Sequence, residues 1–281
     1  MMMYVVRKNL VKISVSLLAL ICIIFALFPL LWVFLTAFQK SQGGVSFVLS
    51  DIIKKGFTFE NFTRVTQIIP MGTNFLNSVI TSVVGTIATL FFCSLAGFAF
   101  SKYTFPGRDG LFLFLILTMI IPPEVSIVPL FVVMRKLGWI NSLLSLIVPR
   151  AATAVGIFYL RQYTSQFPTE LLEQARIDGC KEFSLFIRIV IPGITPALAS
   201  WGAISLIARW NDFMLPMIFL RSPLKQTLMV AISLLPVSDG LSTPWPVVMA
   251  GVATATFPLI IAFILLQKFD IADLMAGSTK G

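Results

Sequence analysis

The chain contains no histidine and only three cysteines, and these two shortages remove whole classes of chemistry. Cys22 and Cys93 lie inside apolar runs, Cys180 stands in a polar stretch, and no CxxC pair occurs. Without imidazole or paired thiols, metal sites of the zinc type and Cys–His or Ser–His catalysis are excluded, and no cofactor is implied. No Gly-rich phosphate loop of the GxxxxGK[ST] type is present, so the chain does not hydrolyse nucleotide by that route. Charge is the third shortage. Only 12% of the 281 residues are charged, against roughly 25% in a soluble domain.

What replaces charge is apolar surface. Hydrophobic residues make up 57% of the chain and the mean hydropathy is +0.94. Uncharged runs of 27 residues (Ile13–Gln39), 37 (Val65–Ser101) and 28 (Gly240–Gln267) exceed the roughly 20 that span hydrocarbon. Three further spans carry isolated charges, at about 111–134, 142–161 and 193–220. The expected fold is all-α: a polytopic membrane protein of six transmembrane helices, a single domain over 1–281, with spans at about 13–38, 75–100, 111–134, 142–161, 193–220 and 243–267.

Arg7, Lys8 and Lys12 precede the first span, which is too long for a signal-peptide h-region and lacks a clean cleavage site after it. Read as a retained anchor, it puts the N-terminus in the cytoplasm, and six spans return the C-terminus there. This topology places 11 Lys and Arg inside and eight outside, a modest positive-inside bias. The net charge of +9 then reads as contact with anionic membrane lipids, because no basic stripe interleaved with aromatics offers a nucleic-acid site.

The polarity changes between Phe167 and Pro192, in FPTELLEQARIDGCKEFSLFIRIVIP, which holds Glu170, Glu173, Arg176, Asp178, Lys181, Glu182 and Arg188. Thr169 is a capping residue, and Glu170 and Glu173 suit the positive end of a helix dipole. The spacing predicts a helix over 170–178 with Leu171, Leu172 and Ala175 on one apolar stripe, ended by Gly179 in a left-handed turn. A second helix over about 181–190 carries Phe183, Phe186, Ile187 and Val190 at helical spacing, and Pro192 is expected to stop it before the fifth span. Two short helices meeting at Gly179 form a knob with one apolar and one charged face. Such a knob is either an interfacial loop touching lipid headgroups or a docking surface.

The same residues resemble a known family. Glu173-Gln174-Ala175, then Gly179, then Ile189-Val190-Ile191-Pro192 is similar to the EAA-x3-G-x9-I-x-LP loop of the membrane-spanning subunits of bacterial ABC importers; Gln174 and Ile191 depart from the usual Ala and Leu. Phe57-Thr58-Phe59-Glu60-Asn61-Phe62, Asn77-Ser78, Phe105-Pro106-Gly107-Arg108 and Trp210-Asn211-Asp212-Phe213 resemble further signatures of the carbohydrate-uptake branch. Gly277-Ser278-Thr279-Lys280-Gly281 is similar to the tail of the maltose-type second permease. The resemblance implies a non-catalytic permease subunit of the bacterial plasma membrane. Its partners would be a sister permease, two cytoplasmic ATPase subunits and an extracytoplasmic solute-binding protein. ATPase coupling would then fall to Glu170, Glu173, Ala175, Asp178, Gly179, Ile189 and Pro192 in a loop over 168–192, with Glu173 the acid nearest the ATPase.

Charges inside spans cost a few kcal/mol or more unless paired or hydrated. Counting along straight helices at about 1.5 Å per residue puts Glu124, Arg150 and Arg209 roughly 16–20 Å from the cytoplasmic end, with Asp212 a turn further. Four charges on three spans thus converge on one level, and Glu124 and Arg150 have the matched depths of a pair. Pro122-Pro123 break the third span beside Glu124, and Trp210 adds an aromatic face at that depth. Glu124, Arg150, Arg209, Trp210, Asn211 and Asp212 either line a translocation path or lock three helices together, and Asn211 serves equally to cap a kink. The rival to an ATP-driven importer is a secondary carrier, which predicts internal repeats with paired broken helices; one broken span and no repeat are visible in the sequence.

Overall fold

The computed structural model describes residues 2–40, 56–240 and 243–278. Among them the fold is all-α, with extended pairing confined to one isolated bridge between Gln39 and Phe57. Besides the one-turn pieces Ile191–Gly193 and Leu235–Ser238, the α-helices in chain order are α1 (Met2–Ala37), α2 (Glu60–Ile68), α3 (Met71–Lys102), α4 (Arg108–Thr118), α5 (Ile127–Lys136), α6 (Leu144–Ile147), α7 (Ala154–Gln166), α8 (Thr169–Ile177), α9 (Glu182–Leu185), α10 (Thr195–Trp210), α11 (Met214–Phe219), α12 (Leu228–Ser233) and α13 (Trp245–Ser278). Thr279–Gly281, the end of the tail that carries part of the resemblance, lie outside the described residues.

The chain divides into two compact units. The first comprises Met1–Ile69 and Leu234–Phe257. In α1, Val15, Leu18, Ile24 and Phe25 are exposed apolar side chains, the surface that a bilayer would cover. The carbonyls at the end of a helix have no intrahelical partner. Here the Asn61 amide donates to the carbonyls of Ala37 at 2.8 Å and Gln39 at 2.7 Å. Phe38 packs against Phe59 and Phe62 at ring-centre distances of 5.1 and 5.0 Å. Residues 57–62 therefore close the end of α1.

The second unit comprises Pro70–Ser233 and Pro258–Gly281, and α3 is its longest unbroken helix within 70–233. The 32 residues of α3 rise roughly 48 Å. Its buried stripe is small and polar, running through Asn74, Asn77, Ser78, Thr81, Gly85, Thr89, Cys93 and Gly97. Small residues admit close backbone approach and hydroxyls bond across helices, which is how helices associate in lipid. At one end Asn74 donates to the carbonyls of Pro223 (2.7 Å) and Gln226 (2.9 Å), Asn77 donates to those of Leu224 and Gln226 (both 3.0 Å), and Ser78 accepts from the Leu228 N–H. At the other end Lys102 donates to the carbonyls of Ser165 (3.3 Å) and Phe167 (2.5 Å), capping α7.

Among the described residues three helices are long and apolar enough to cross a membrane: Ser14–Ala37, Met71–Lys102 and Trp245–Ile264. Three more candidates are bent pairs: Arg108–Thr118 with Pro123–Lys136 at 97°, Leu144–Arg150 with Ala154–Gln166 at 44°, and Glu182–Gly193 with Thr195–Trp210 at 80°. The sequence marks the first of these breaks with Pro122-Pro123 and expects the third at Pro192, two residues before the observed bend; the second carries no such mark. Before the first break, the N–H groups of Met119, Ile120 and Ile121 bond three residues back, so α4 has unwound before Pro122-Pro123 removes two donors.

Candidate functional site

Thr169–Gly193 folds as the two-part knob. Gly179 has φ +79°, the left-handed conformation that a Cβ disfavours, and a Cβ there would meet nothing within 4 Å. Its constraint is therefore conformational. The inner face of the knob consists of Leu172, Ala175, Leu185, Phe186 and Val190, clustered with Phe98 of α3 and Ile194. Four of these five, Leu172, Leu185, Phe186 and Val190, are at most 1% exposed. Burying each such side chain contributes about 1.5–3 kcal/mol, whereas an exposed ion pair gives about 0–1. Apolar burial holds the knob in place, which leaves exposed acids such as Glu170, Glu173 and Asp178 available to another surface.

Two details differ from the expected pattern. Leu171 is exposed at 46% instead of sharing the stripe of Leu172 and Ala175, because the stripe that meets α3 is one residue narrower. Pro192 does not stop the second helix: the helical path runs on to Gly193 and bends at Ile194. Proline lacks an N–H and its ring clashes with the carbonyl four residues back. The chain accommodates it by widening Phe186–Val190 into a π-turn, with the Ile191 N–H donating to Phe186. Glu170, Glu173 and Asp178 are exposed, Ala175 is buried and Ile189 is half-buried.

The second candidate region lies where α3, the 144–150 segment and α10 meet. Arg209 is 6% exposed. Its Nη1 donates to the Leu146 carbonyl at 3.2 Å, and its Nη2 to the Arg150 carbonyl at 2.6 Å and to Thr89 Oγ1 at 2.7 Å. The acceptors include orphan carbonyls at the end of a helical segment, a fit partner for a fork of N–H groups. Gly85 makes room for the fork: a Cβ there would lie 2.5 Å from Nη1. The sequence marks Gly85 and Thr89 only as a small and a hydroxyl residue four apart in an uncharged run, and nothing in it ties them to Arg209.

Arg150 pairs with Asp212, Nη2 to Oδ2 at 2.8 Å, with side chains 28% and 11% exposed. Asp212 Oδ1 also accepts from the Leu215 N–H at the start of α11, at 3.4 Å. Glu124 is not the partner of Arg150. It sits exposed on the turn Pro123–Ser126 and makes no ion pair among the described residues. The 97° bend takes Glu124 off the straight path along which its depth was counted. The layer thus unites Arg150, Arg209 and Asp212 without Glu124. Trp210, expected to add an aromatic face at this depth, is 6% exposed, with Phe75 edge-on to its ring at 5.8 Å. Asn211 is exposed at the end of α10.

Comparison with known proteins follows the same lines. The family described as binding-protein-dependent transport system inner membrane component matches residues 94–270. The arabinooligosaccharides transport system permease protein AraQ of Halalkalibacterium halodurans is 33% identical over 261 residues, covering 91% of this chain and 92% of its own. The trehalose/maltose transport system permease protein MalG of Thermococcus litoralis is 33% identical over 282 residues, covering 99% and 98%. A chain in the crystal structure of a bacterial ABC transporter involved in import of the acidic polysaccharide alginate shares the fold, with a TM-score of 0.79 over 92% of this chain and 96% of that one at 24% identity. By a match over well over half its length and relatives a third identical along nearly all of it, the chain belongs to the binding-protein-dependent transport system inner membrane components.

Proposed function

We propose that the chain is the membrane-spanning subunit of an ATP-driven importer for a carbohydrate, a single permease domain over 1–281. It forms half of a translocation pathway with a sister permease and docks a cytoplasmic ATPase through residues 168–192. The observation that carries this is the knob's division of labour. Its inner face is seated on α3, while Glu170, Glu173 and Asp178 stand outside with Ile177 at 85% and Phe183 at 62% exposed. Apolar side chains left open among acids mark a partner surface rather than a solvated one. On this reading the knob and both termini face the cytoplasm of a bacterial cell, and a solute-binding protein serves the other side. The carbohydrate class is supported by the names of the relatives, which carry arabinooligosaccharides and trehalose or maltose.

Broken spans also occur in ion-driven carriers, but membership of a binding-protein-dependent family and a charged, exposed knob seated on α3 favour the ATP-driven machine. The test is Gly179→Val. A β-branched residue at φ +79° costs about 1–2 kcal/mol of local strain, so the knob's outer face is distorted while its buried cluster stays. The expected outcome is a chain that purifies at wild-type yield from the native host but loses its co-purifying ATPase and its uptake of labelled oligosaccharides. Wild-type ATPase yield with wild-type uptake overturns the docking assignment.

A further inference from the structure

One carboxylate joins three elements at the foot of the second unit. Glu182, at the start of α9, accepts from Arg176 of α8 through Nε to Oε1 at 2.9 Å and Nη2 to Oε2 at 3.3 Å. The Tyr103 hydroxyl, just past the end of α3, donates to the same Oε2. The Arg176 guanidinium carbon lies 5.5 Å from the centre of the Tyr103 ring. That ring is set edge-on against Phe98 at 5.2 Å, and Phe98 stacks on Phe186 at 5.7 Å, so the tie is rooted in the buried cluster.

The placement matters because Arg176 and Glu182 stand on opposite sides of Gly179. A single left-handed glycine lets two short helices swing about its dihedrals. The apolar cluster keeps their inner faces down without dictating the angle between them, since apolar contact is not directional. A bidentate guanidinium–carboxylate pair is directional, and a phenol from α3 refers that angle to a third element. Each charge is partly exposed, 34% and 54%, and a lone pair so placed contributes little to stability. Its consequence is orientation. Glu182 is held below the ordinary carboxylate range, first by Arg176 and then by Tyr103, so the tie is fully charged at neutral pH.

The geometry points to Tyr103, Arg176 and Glu182 as positioning residues for coupling, which set the angle between α8 and α9 and link the knob to α3 as well as to α10. The route through α10 turns 80° at Ile194. The route through Tyr103 enters an unbroken helix that also carries Thr89, a partner of Arg209, and Asn74 and Asn77, which hold the 223–226 segment. A displacement of the knob is therefore passed along α3 without a bend in the way. The inference rests on the docking reading above.

The test uses the tagged full chain purified with its complex from native-host membranes. Readouts are monodispersity of the chain and vanadate-sensitive ATP hydrolysis per mole of chain. Tyr103→Phe, Glu182→Gln and Arg176→Glu should leave the chain monodisperse and lower the bound hydrolysis by about fivefold. The exchange Arg176→Glu with Glu182→Arg rebuilds the pair with reversed sense, and Tyr103 can donate or accept, so it should return hydrolysis to within about twofold of wild type. Unchanged hydrolysis in all three single variants, or a loss that the exchange leaves in place, overturns the proposal. A wild-type chain that brings down no such hydrolysis removes the docking reading and the tie with it, whereas wild-type capture with indifferent variants removes the tie alone.

Discussion

The knob of residues 169–193 and the polar layer around Arg209 are both built from charged residues and both rest on α3, yet they are opposites in construction. The knob buries leucine, phenylalanine and valine and leaves its acids outside. The layer buries the charge itself, and its partners are largely backbone carbonyls. An outward charge is not needed for folding and is free to meet a partner. A buried charge is committed to the fold, because removing either side strands the other in a medium that cannot solvate it. Substitutions in the two regions should therefore fail in different assays.

The largest effect is expected at Arg209. Arg209→Met strips hydrogen bonds from Leu146, Arg150 and Thr89 at once, with a cost on the order of 3–5 kcal/mol. Thermal unfolding of the detergent-purified chain should show it, and Arg209→Lys should recover only part, since an ammonium cannot reproduce the fork. A wild-type midpoint for Arg209→Met would erase the distinction between the two regions.

Next comes the Arg150–Asp212 pair. It is partly hydrated, so its coupling should be smaller, about 1–3 kcal/mol in a double-mutant cycle of Arg150→Met and Asp212→Asn. The double variant should be more stable than the sum of the singles predicts, and transport by it then separates a lock from a path lining. Glu124→Gln serves as the control, with a change within about 0.5 kcal/mol as for an exposed site. A coupling found between Glu124 and Arg150 in place of Asp212 would reverse the assignment.

The contrast between the regions also explains what could be read without coordinates. The knob is continuous in sequence, so the spacing of its apolar residues about Gly179 is enough to show its two short helices. The layer is assembled from α3, the 144–150 segment and α10, and depth counted along a straight helix says nothing of azimuth. That is why Arg150 was matched with Glu124, whose helix turns away at Pro122-Pro123, instead of Asp212. The acceptors of Arg209 are carbonyls that every residue possesses, and no side-chain pattern marks them. The bend at 151–153 falls on Ala-Ala-Thr, with neither proline nor glycine within it, so no turn residue marks it in the sequence.

In the knob, charge reversal should leave the fold alone. Glu173→Lys and Glu182→Lys are each expected to change the unfolding midpoint by no more than other surface substitutions. Both should reduce captured ATPase, but for different reasons. Glu173 makes no ion pair among the described residues, so no second change within this chain should restore its variant. Glu182 is held by Arg176, so Arg176→Glu should rescue Glu182→Lys. Rescue of both, or of neither, would place the two acids in the same role.

The smallest and most specific effect is a pH dependence. The Glu182 carboxyl titrates below its ordinary value, chiefly because Arg176 and then Tyr103 donate to its charged form. A carboxylate depressed on folding stabilises at every pH above the unfolded value, about 4.3 for glutamate, and that contribution disappears as pH falls through the folded value. The tie between α8 and α9 should therefore be constant from pH 8 to 5 and loosen only in acid, as the pH falls below the unfolded value. Limited pepsin cleavage at residues 177–183 supplies the measurement, read as the ratio of wild type to Glu182→Gln so that the protease's own pH profile cancels. At pH 4.5 the wild type should be cut more slowly than the variant, and the ratio should approach one as the pH is lowered. A ratio of one at every pH would show that Arg176 and Tyr103 do not restrain the hinge, and the knob's angle would then be set by its apolar face alone.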